Sequence, residues 1–552
     1  MRRMVLSAGS RFLFGAVLAV SVLRSSWLAV AAAPPAPLAS ATAAAGSVTE
    51  VGNLLRQGQQ LEIQHRWSEA LTLYEDGVRQ HPGDADLQRR FDFTRLHYDL
   101  CRRYRDNSFR DAVARLSLLD ALDLYSDVVG KMQVHYVEIP RWKELIERGT
   151  NDLEVALTEP SFVEGLRLKV EPRVLDDFRQ ELWQQLGPRV VAGPMDARQA
   201  VADAARLGQQ RLGLSPTAVV LEYVCGAANS LDVYSCYLTP DQLNDVYSQI
   251  EGNFVGLGVE LKSDDGALLI VRVIHGSPAE HQGLRSGDRI LEVDGHATRK
   301  YPTDQAANLL QGAEGTVAQL LVQSPGGQAR TLGVPRQRVE VPSVDEVQML
   351  DRGQGTGYFK LTCFQKTTSR DMDEALWSLH RDGMRSLIVD LRGNPGGLLV
   401  TAVEVADKFI DRGVIVSTHG RNPQEDFTYS AHGNGGWRMP LVVLIDQDSA
   451  SAAEIFAGAI RDHHRGTIIG KRSYGKGSVQ GIFPLTVGNA GLRLTTAKFY
   501  SPNGYPFAGI GVTPDLVVQQ VARPVGGSTN PAKEDPVLIA AIQAARQMVA
   551  QR

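Results

Sequence analysis

"LVVLIDQDSASAAEIFAGAI", Leu441 to Ile460, decides how this chain is read. An apolar run ends at Asp446, a polar turn follows, and an alanine-rich helical pattern begins between Ser449 and Ala452. A short continuous apolar run leading into a 3.6-residue period is a buried strand feeding a helix. A serine at that turn is exposed at the end of a sheet, beside the unpaired N–H groups of the helix N-terminus. Such donors suit a developing oxyanion. Ser449 and Ser451 both qualify, and either could equally be a plain helix cap.

A hydroxyl nucleophile needs a base. Of the 12 histidines, the pair His463-His464 is nearest in sequence. It lies roughly 18 Å down the same helix from Ser451 at 1.5 Å per residue, too far to serve. A lysine can act instead where burial favours its neutral form. "GKRSYGKGSVQ", Gly470 to Gln480, offers Lys476 between two glycines, just after the apolar strand "GTIIG". Two other chemistries compete for Lys476. A phosphate loop fails because Gly477 stands where a Ser/Thr is needed and "VQGIFPLT" is β-like where a helix should start. A Ser473-x-x-Lys476 site fails because glycines around the lysine break the helical turn it needs. A glycine-flanked turn holding one inward lysine remains; the bland alternative is an exposed turn lysine.

Outward from this centre the texture is α/β over 344–525, with "RSLIVDLRGNPGG" as a buried strand entering a glycine turn. The chain closes over 526–552 with a linker and the helix "PVLIAAIQAARQMVAQR". Before the core, residues 251–343 alternate apolar and polar residues between glycine turns, the pattern of a compact β module. "FVGLGVEL", "SPAEHQGL" and "RSGDRILEVDG" make this stretch resemble a PDZ domain. The resemblance implies that Phe254, Val255, Gly256, Leu257, Gly258 and Val259 form the loop and strand that receive a peptide C-terminus. Glycine lets backbone N–H groups converge on a carboxylate while a strand edge pairs with the peptide.

Residues 106–250 are helical and amphipathic. Over 50–105, Gly58, Ala70, Tyr74, Gly77 and Pro82 fall where a tetratricopeptide unit places its small, aromatic and terminating residues. That segment is a candidate dock for a partner protein, or simply a helical pair. Residues 34–49 read as an Ala/Pro-rich linker. Residues 1–33 carry arginines, then "FLFGAVLAVSVL", then small residues, the layout of an export signal. The expected location is the periplasm or cell envelope; an uncleaved signal would leave the protein membrane-associated.

A net charge of -4 gives no basic excess, which argues against nucleic acid. The four cysteines, Cys101, Cys225, Cys236 and Cys363, have no metal or redox spacing, and no cofactor or metal is expected.

Seven motifs, in order, resemble the carboxyl-terminal processing proteases, serine peptidases of the tail-specific type: "YSCYLTP", "GTGYFKLTCF", "VDLRGNPGG", "SASAAEIFAGA", "YGKGSVQ", "LTTAKFYSPNG" and "GIGVTPDL". The likeness spans about 110 to 552. It implies a multidomain α+β chain: a helical N-terminal region, a PDZ-like β module and an α/β (crotonase-like ββα) peptidase core. It also implies that Ser451 is the nucleophile, Lys476 the base and Gln480 a support for the lysine. Ala452, Gly396 and Gly397 would supply the oxyanion hole. Asp462 matches an aspartate sometimes counted with the active site, but roughly 16 Å of helix separates it from Ser451, which favours a structural role. Glu454, one turn from Ser451, is placed to cap or orient. Ala453 replaces a third serine of the family's run and Asp448 a more usual glycine or asparagine; neither removes a group the chemistry needs. The implied function is an exported endopeptidase acting on proteins or peptides with free, apolar C-termini. The alternative is a catalytically silent scaffold of the cell envelope.

Overall fold

The computed structural model describes residues 5–6, 41–264, 267–301, 306–307, 309–433, 436–518 and 535–551. The expected export signal falls outside the described residues apart from 5–6, as do 34–40 of the expected linker. Residues 41–49 of that linker are not irregular: they open a helix, Ala41–Ile63. The alanines of "ATAAAG" have the highest helix propensity and override the small-residue, linker-like composition.

The chain divides into two compact units. One takes in Asn244–Gln480 and Thr496–Arg552; the other holds Val22–Leu243 and Gly481–Thr495.

In the helical unit, Ala41–Ile63, Trp67–Gln80 and Ala85–Arg105 pack in succession. Gly58 is needed where it stands, since a Cβ there would lie 2.1 Å from the buried ring of Tyr74. The unit's core is built on Pro216–Asn229, whose sides are buried almost all round, as its apolar sequence "PTAVVLEYVCGAAN" requires. Its one charged residue, Glu222, is fully buried and is met by Arg103 through both Nε and Nη2, and by the Tyr104 hydroxyl at 2.7 Å.

The other unit contains two sheets that matter for function. The first sheet runs Val344–Asp351, Thr356–Leu361, Ser386–Asp390, Leu441–Ile445, Thr467–Gly470, Leu516–Val517. All neighbours are parallel except the first pair. Side chains alternate between its faces. Phe359, Leu387, Val389, Val443 and Ile445 meet the helices Thr368–Arg381, Leu399–Asp407 and Ala452–Asp462. Tyr358, Ile388, Val442, Leu444 and Ile469 meet the C-terminal helix Pro536–Ala550. A parallel sheet covered on both faces explains why its strands read as unbroken apolar runs.

The second sheet is the β module. Its main path runs Val259–Asp264, Ala267–Val273, Arg289–Val293, Val317–Gln323, Ala329–Pro335, all antiparallel. Val259–Asp264 is an edge strand of this path, around a core of Leu257, Val259, Leu261, Ile270, Ile290 and Leu320. Phe254, Val255 and Gly256 do not belong to that edge. They sit in the separate strand Asn253–Gly256, paired antiparallel with Gln337–Glu340. The apolar alternation runs through both strands, but the chain changes partner at Leu257-Gly258, whose carbonyls accept from Ala279 and Ile274.

Candidate active site

The strand Leu441–Ile445 ends in a turn built on Asp446. Its Oδ1 accepts from the amides of Gly393, Asp448 and Ser449, each at 3.0 Å. The Ser449 hydroxyl donates to the Leu391 carbonyl at 2.9 Å and accepts from the Asp446 amide. Ser449 therefore fastens the turn. Ser451 is different: it is fully buried, its φ is 58°, and its Oγ has no hydrogen-bond partner among the described residues. A positive φ on a residue with a side chain is strained backbone of the kind kept at functional turns. Ser451 caps the helix Ala452–Asp462. Its pairing with Glu454 has capping-box spacing, but only the amide-to-carboxylate half is a hydrogen bond, at 2.7 Å.

Glu454 is the joint of the site. Oε2 accepts from the amide of Ser451 at 2.7 Å and from the amide of Lys476 at 2.8 Å. Oε1 accepts from the Ser473 hydroxyl and the Gly475 amide, both at 2.6 Å. One buried carboxylate thus bonds the backbone of the helix-capping serine and that of the glycine-flanked lysine. Burial pushes its carboxyl up to about 7, against the opposing pull of those four donors.

Lys476 is among the largest fully buried side chains, with 1% exposure. Its loop is pressed onto the segment around Ala508: Gly509 donates to the Gly475 carbonyl at 2.8 Å, and a Cβ on Gly477 would sit 2.2 Å from the Ala508 nitrogen. Gln480, also fully buried, lies on the strand Ser478–Pro484 and donates from Nε2 to the Ser478 hydroxyl at 2.9 Å.

The glycine turn after Ser386–Asp390 reaches the same place. Gly396, at φ 99°, would put a Cβ 2.7 Å from the Ala450 carbonyl and 2.9 Å from both the Ala452 nitrogen and the Ser451 Cβ. Gly397 bridges to Phe364. Of the donors expected for an oxyanion, the Ala452 amide makes no hydrogen bond among the described residues. The Gly396 amide is committed, donating to Asn394 Oδ1 at 2.8 Å. Sequence shows that a glycine is needed there but not which acceptor its N–H meets.

Asp462 closes the far end of the helix and accepts from the Asn503 amide at 3.2 Å. It holds a loop, roughly 16 Å of helical rise from Ser451. Asn394 is not among the residues expected from sequence, and Glu454 does more than the expected capping or orienting. Asn394 had a local signal: an Asn before Pro-Gly-Gly favours a side-chain bond to the amide two residues on.

The model of peptidase family S41 matches residues 355–518, and that of the PDZ domain matches 269–324. The carboxy-terminal-processing protease of Bartonella bacilliformis is 37% identical over 302 residues, 53% of this chain and 68% of the relative. The carboxyl-terminal-processing protease of Synechocystis sp. is 30% identical over 395 residues, 70% of this chain and 88% of the relative. Among solved structures, the photosystem II D1 C-terminal processing protease is 28% identical with a TM-score of 0.37, covering 63% of this chain and 94% of that one. The buried serine and lysine joined through Glu454 fall inside the S41 match, and the two relatives align over most of their own length: the chain belongs to the carboxyl-terminal-processing serine proteases of peptidase family S41.

Proposed function

We propose that this chain is an exported endopeptidase that captures protein C-termini on its PDZ domain and cleaves them with Ser451 and Lys476. The observation that carries the reading is the shared carboxylate of Glu454, bonded to the amides of Ser451 and Lys476, beside a Ser451 hydroxyl that has no hydrogen-bond partner among the described residues. Taking an ammonium out of water favours its neutral form, so a lysine buried like Lys476 suits a base. In the reaction, the Lys476 amine takes the hydroxyl proton as Ser451 Oγ bonds to the peptide carbonyl carbon. The carbonyl oxygen becomes an oxyanion facing the Ala452 amide. Lys476 returns the proton to the leaving nitrogen and the C–N bond breaks. Water, deprotonated by the same amine, then attacks the ester carbon; the C–Oγ bond breaks, Lys476 returns the proton to Ser451 Oγ, and the carboxylate product leaves.

The PDZ domain supports substrate capture. Its edge strand Val259–Asp264 pairs on one side with Ala267–Val273, leaving the other side for an extended peptide. Buried Leu257 just before it, with Val259 and Leu261 within it, suits an apolar last residue. The helices before Arg105 are proposed as a dock for a partner protein. Export rests on the pattern of residues 1–33.

The test is cleavage of one folded reporter with and without an apolar C-terminal tail, by wild type and by Ser451→Ala. Tail-dependent cleavage lost in the variant is the expected result. Equal cleavage of both reporters would remove the PDZ-capture step, and activity in the variant would remove Ser451.

A further inference from the structure

We propose that Asn394 is the positioning residue of the oxyanion loop: it holds Gly396 against Ser451 as a spacer and leaves the oxyanion to other amides, that of Ala452 among them. The inference rests on the reading of Ser451 as nucleophile.

Asn394 is fully buried and ties its own turn to two other segments. Its Nδ2 donates to the Leu361 carbonyl, the last residue of the strand Thr356–Leu361, at 2.7 Å. Its Oδ1 accepts from the Gly396 amide at 2.8 Å. Its own carbonyl accepts from the Ala450 amide at 2.9 Å, next to the nucleophile, and its own amide donates to Leu391 at 3.0 Å. The far side of the loop is fixed by Phe364, which donates to the Gly396 carbonyl at 2.9 Å and accepts from the Leu398 amide at 2.7 Å. Both backbone polar groups of Gly396 are therefore in use. Freeing its N–H for an oxyanion would strand the carboxamide oxygen of Asn394, a loss of about 1–3 kcal/mol for a buried acceptor.

What Gly396 contributes is absence of bulk. A Cβ there would press on the Ala450 carbonyl, the Ala452 nitrogen and the Ser451 Cβ, all within 2.9 Å. The loop must approach this closely for the Ala452 amide to line the same space, and Asn394 sets that approach. The side chain has to be a neutral amide. It gives a hydrogen bond on one side and accepts one on the other, and an aspartate would lose the donor while placing an anion beside the oxyanion.

The experiment uses the full chain carrying Asn394→Ala or Asn394→Asp, with kcat and KM on a peptide and the Ki of a peptide aldehyde. Serine attack turns the aldehyde into a hemiacetal whose oxygen occupies the oxyanion position. For Asn394→Ala we expect kcat to fall on the order of 10²-fold, the scale of a damaged oxyanion site. KM should stay within about two-fold, and the aldehyde Ki should rise by the factor lost in kcat/KM. Asn394→Asp should lose more. A folded variant with kcat within about two-fold of wild type overturns the proposal, and so does a fall in kcat with an unchanged aldehyde Ki. If Asn394→Ala does not fold, Asn394→Asp, which keeps the volume and the Oδ1 acceptor, is held to the same outcomes. Ser451→Ala separates the two levels: an aldehyde that binds it as tightly as wild type overturns the nucleophile itself.

Discussion

Glu454 in the catalytic unit and Glu222 in the helical unit are both fully buried carboxylates, yet they keep different company. Three of the four donors to Glu454 are backbone amides, from Ser451, Gly475 and Lys476. The donors to Glu222 are side chains, Arg103 and Tyr104. A carboxylate bonded to backbone fixes where the chain runs, so it can set the spacing of two reacting residues. A carboxylate bonded to an arginine mainly neutralises a charge that would otherwise be buried alone. The same residue type thus serves geometry in one place and solvation in the other.

The largest effects are expected at the proposed nucleophile and base. Ser451→Ala and Lys476→Ala should each lower peptide cleavage by at least about 10⁴-fold, with the folded state and PDZ peptide binding intact. Calorimetric titration with a tail peptide alongside the cleavage assay checks both halves.

Next come the carboxylates themselves. Glu454→Ala should cost about 10²-fold or more in kcat, because the Lys476 loop loses its tie to the Ser451 turn. Glu222→Ala strands Arg103 and should destabilise by about 3–5 kcal/mol, read from urea melts of the intact chain. The kcat of its folded fraction should stay within about two-fold. If Glu454→Ala keeps wild-type kcat, the geometric role is wrong.

The smallest effect is pH-linked stability. Burial raises the Glu454 carboxyl from 4.5 to about 7. Burial also raises that of Asp152, fully enclosed beside Arg148, from 3.8 to about 6. In both windows the folded chain holds a proton that the unfolded chain has released. The associated stability is present below each unfolded value and lost as pH rises through the folded one. Asp152→Asn should flatten the slope between about pH 4 and 6, and Glu454→Gln that between about 4.5 and 7, each by about 1–3 kcal/mol. Melting temperatures across pH 4 to 8 would show it; an unaltered slope in Asp152→Asn would mean that the group is not titrating in that window.

Much of the site was legible because its signals are local. An apolar strand running into an alanine-rich helix marked the Ser451 turn, and glycines on both sides of Lys476 marked a backbone meant to crowd something. Glu454 was visible as a residue one turn away but not as a joint, since its other three donors come from 473–476, a helix and a strand later. The family resemblance implies Gly396 as an oxyanion donor, and no motif reveals that its amide meets Asn394 instead. The PDZ resemblance assigns Phe254 to Gly256 to the loop and strand that receive a peptide, whereas their pairing with Gln337–Glu340 sets them apart from the edge strand Val259–Asp264. Contacts made across loops decide such details, and no local pattern encodes them.

In the proposed mechanism Ser451 forms the covalent intermediate with Lys476 as its base. Acid-quenching a turnover mixture with a peptide ester, then mapping the acyl group by mass spectrometry, tests it most directly. The acyl group is expected on Ser451 in the wild type and is expected to be absent in Lys476→Ala. An acyl group on another residue, or undiminished acylation in Lys476→Ala, would contradict it.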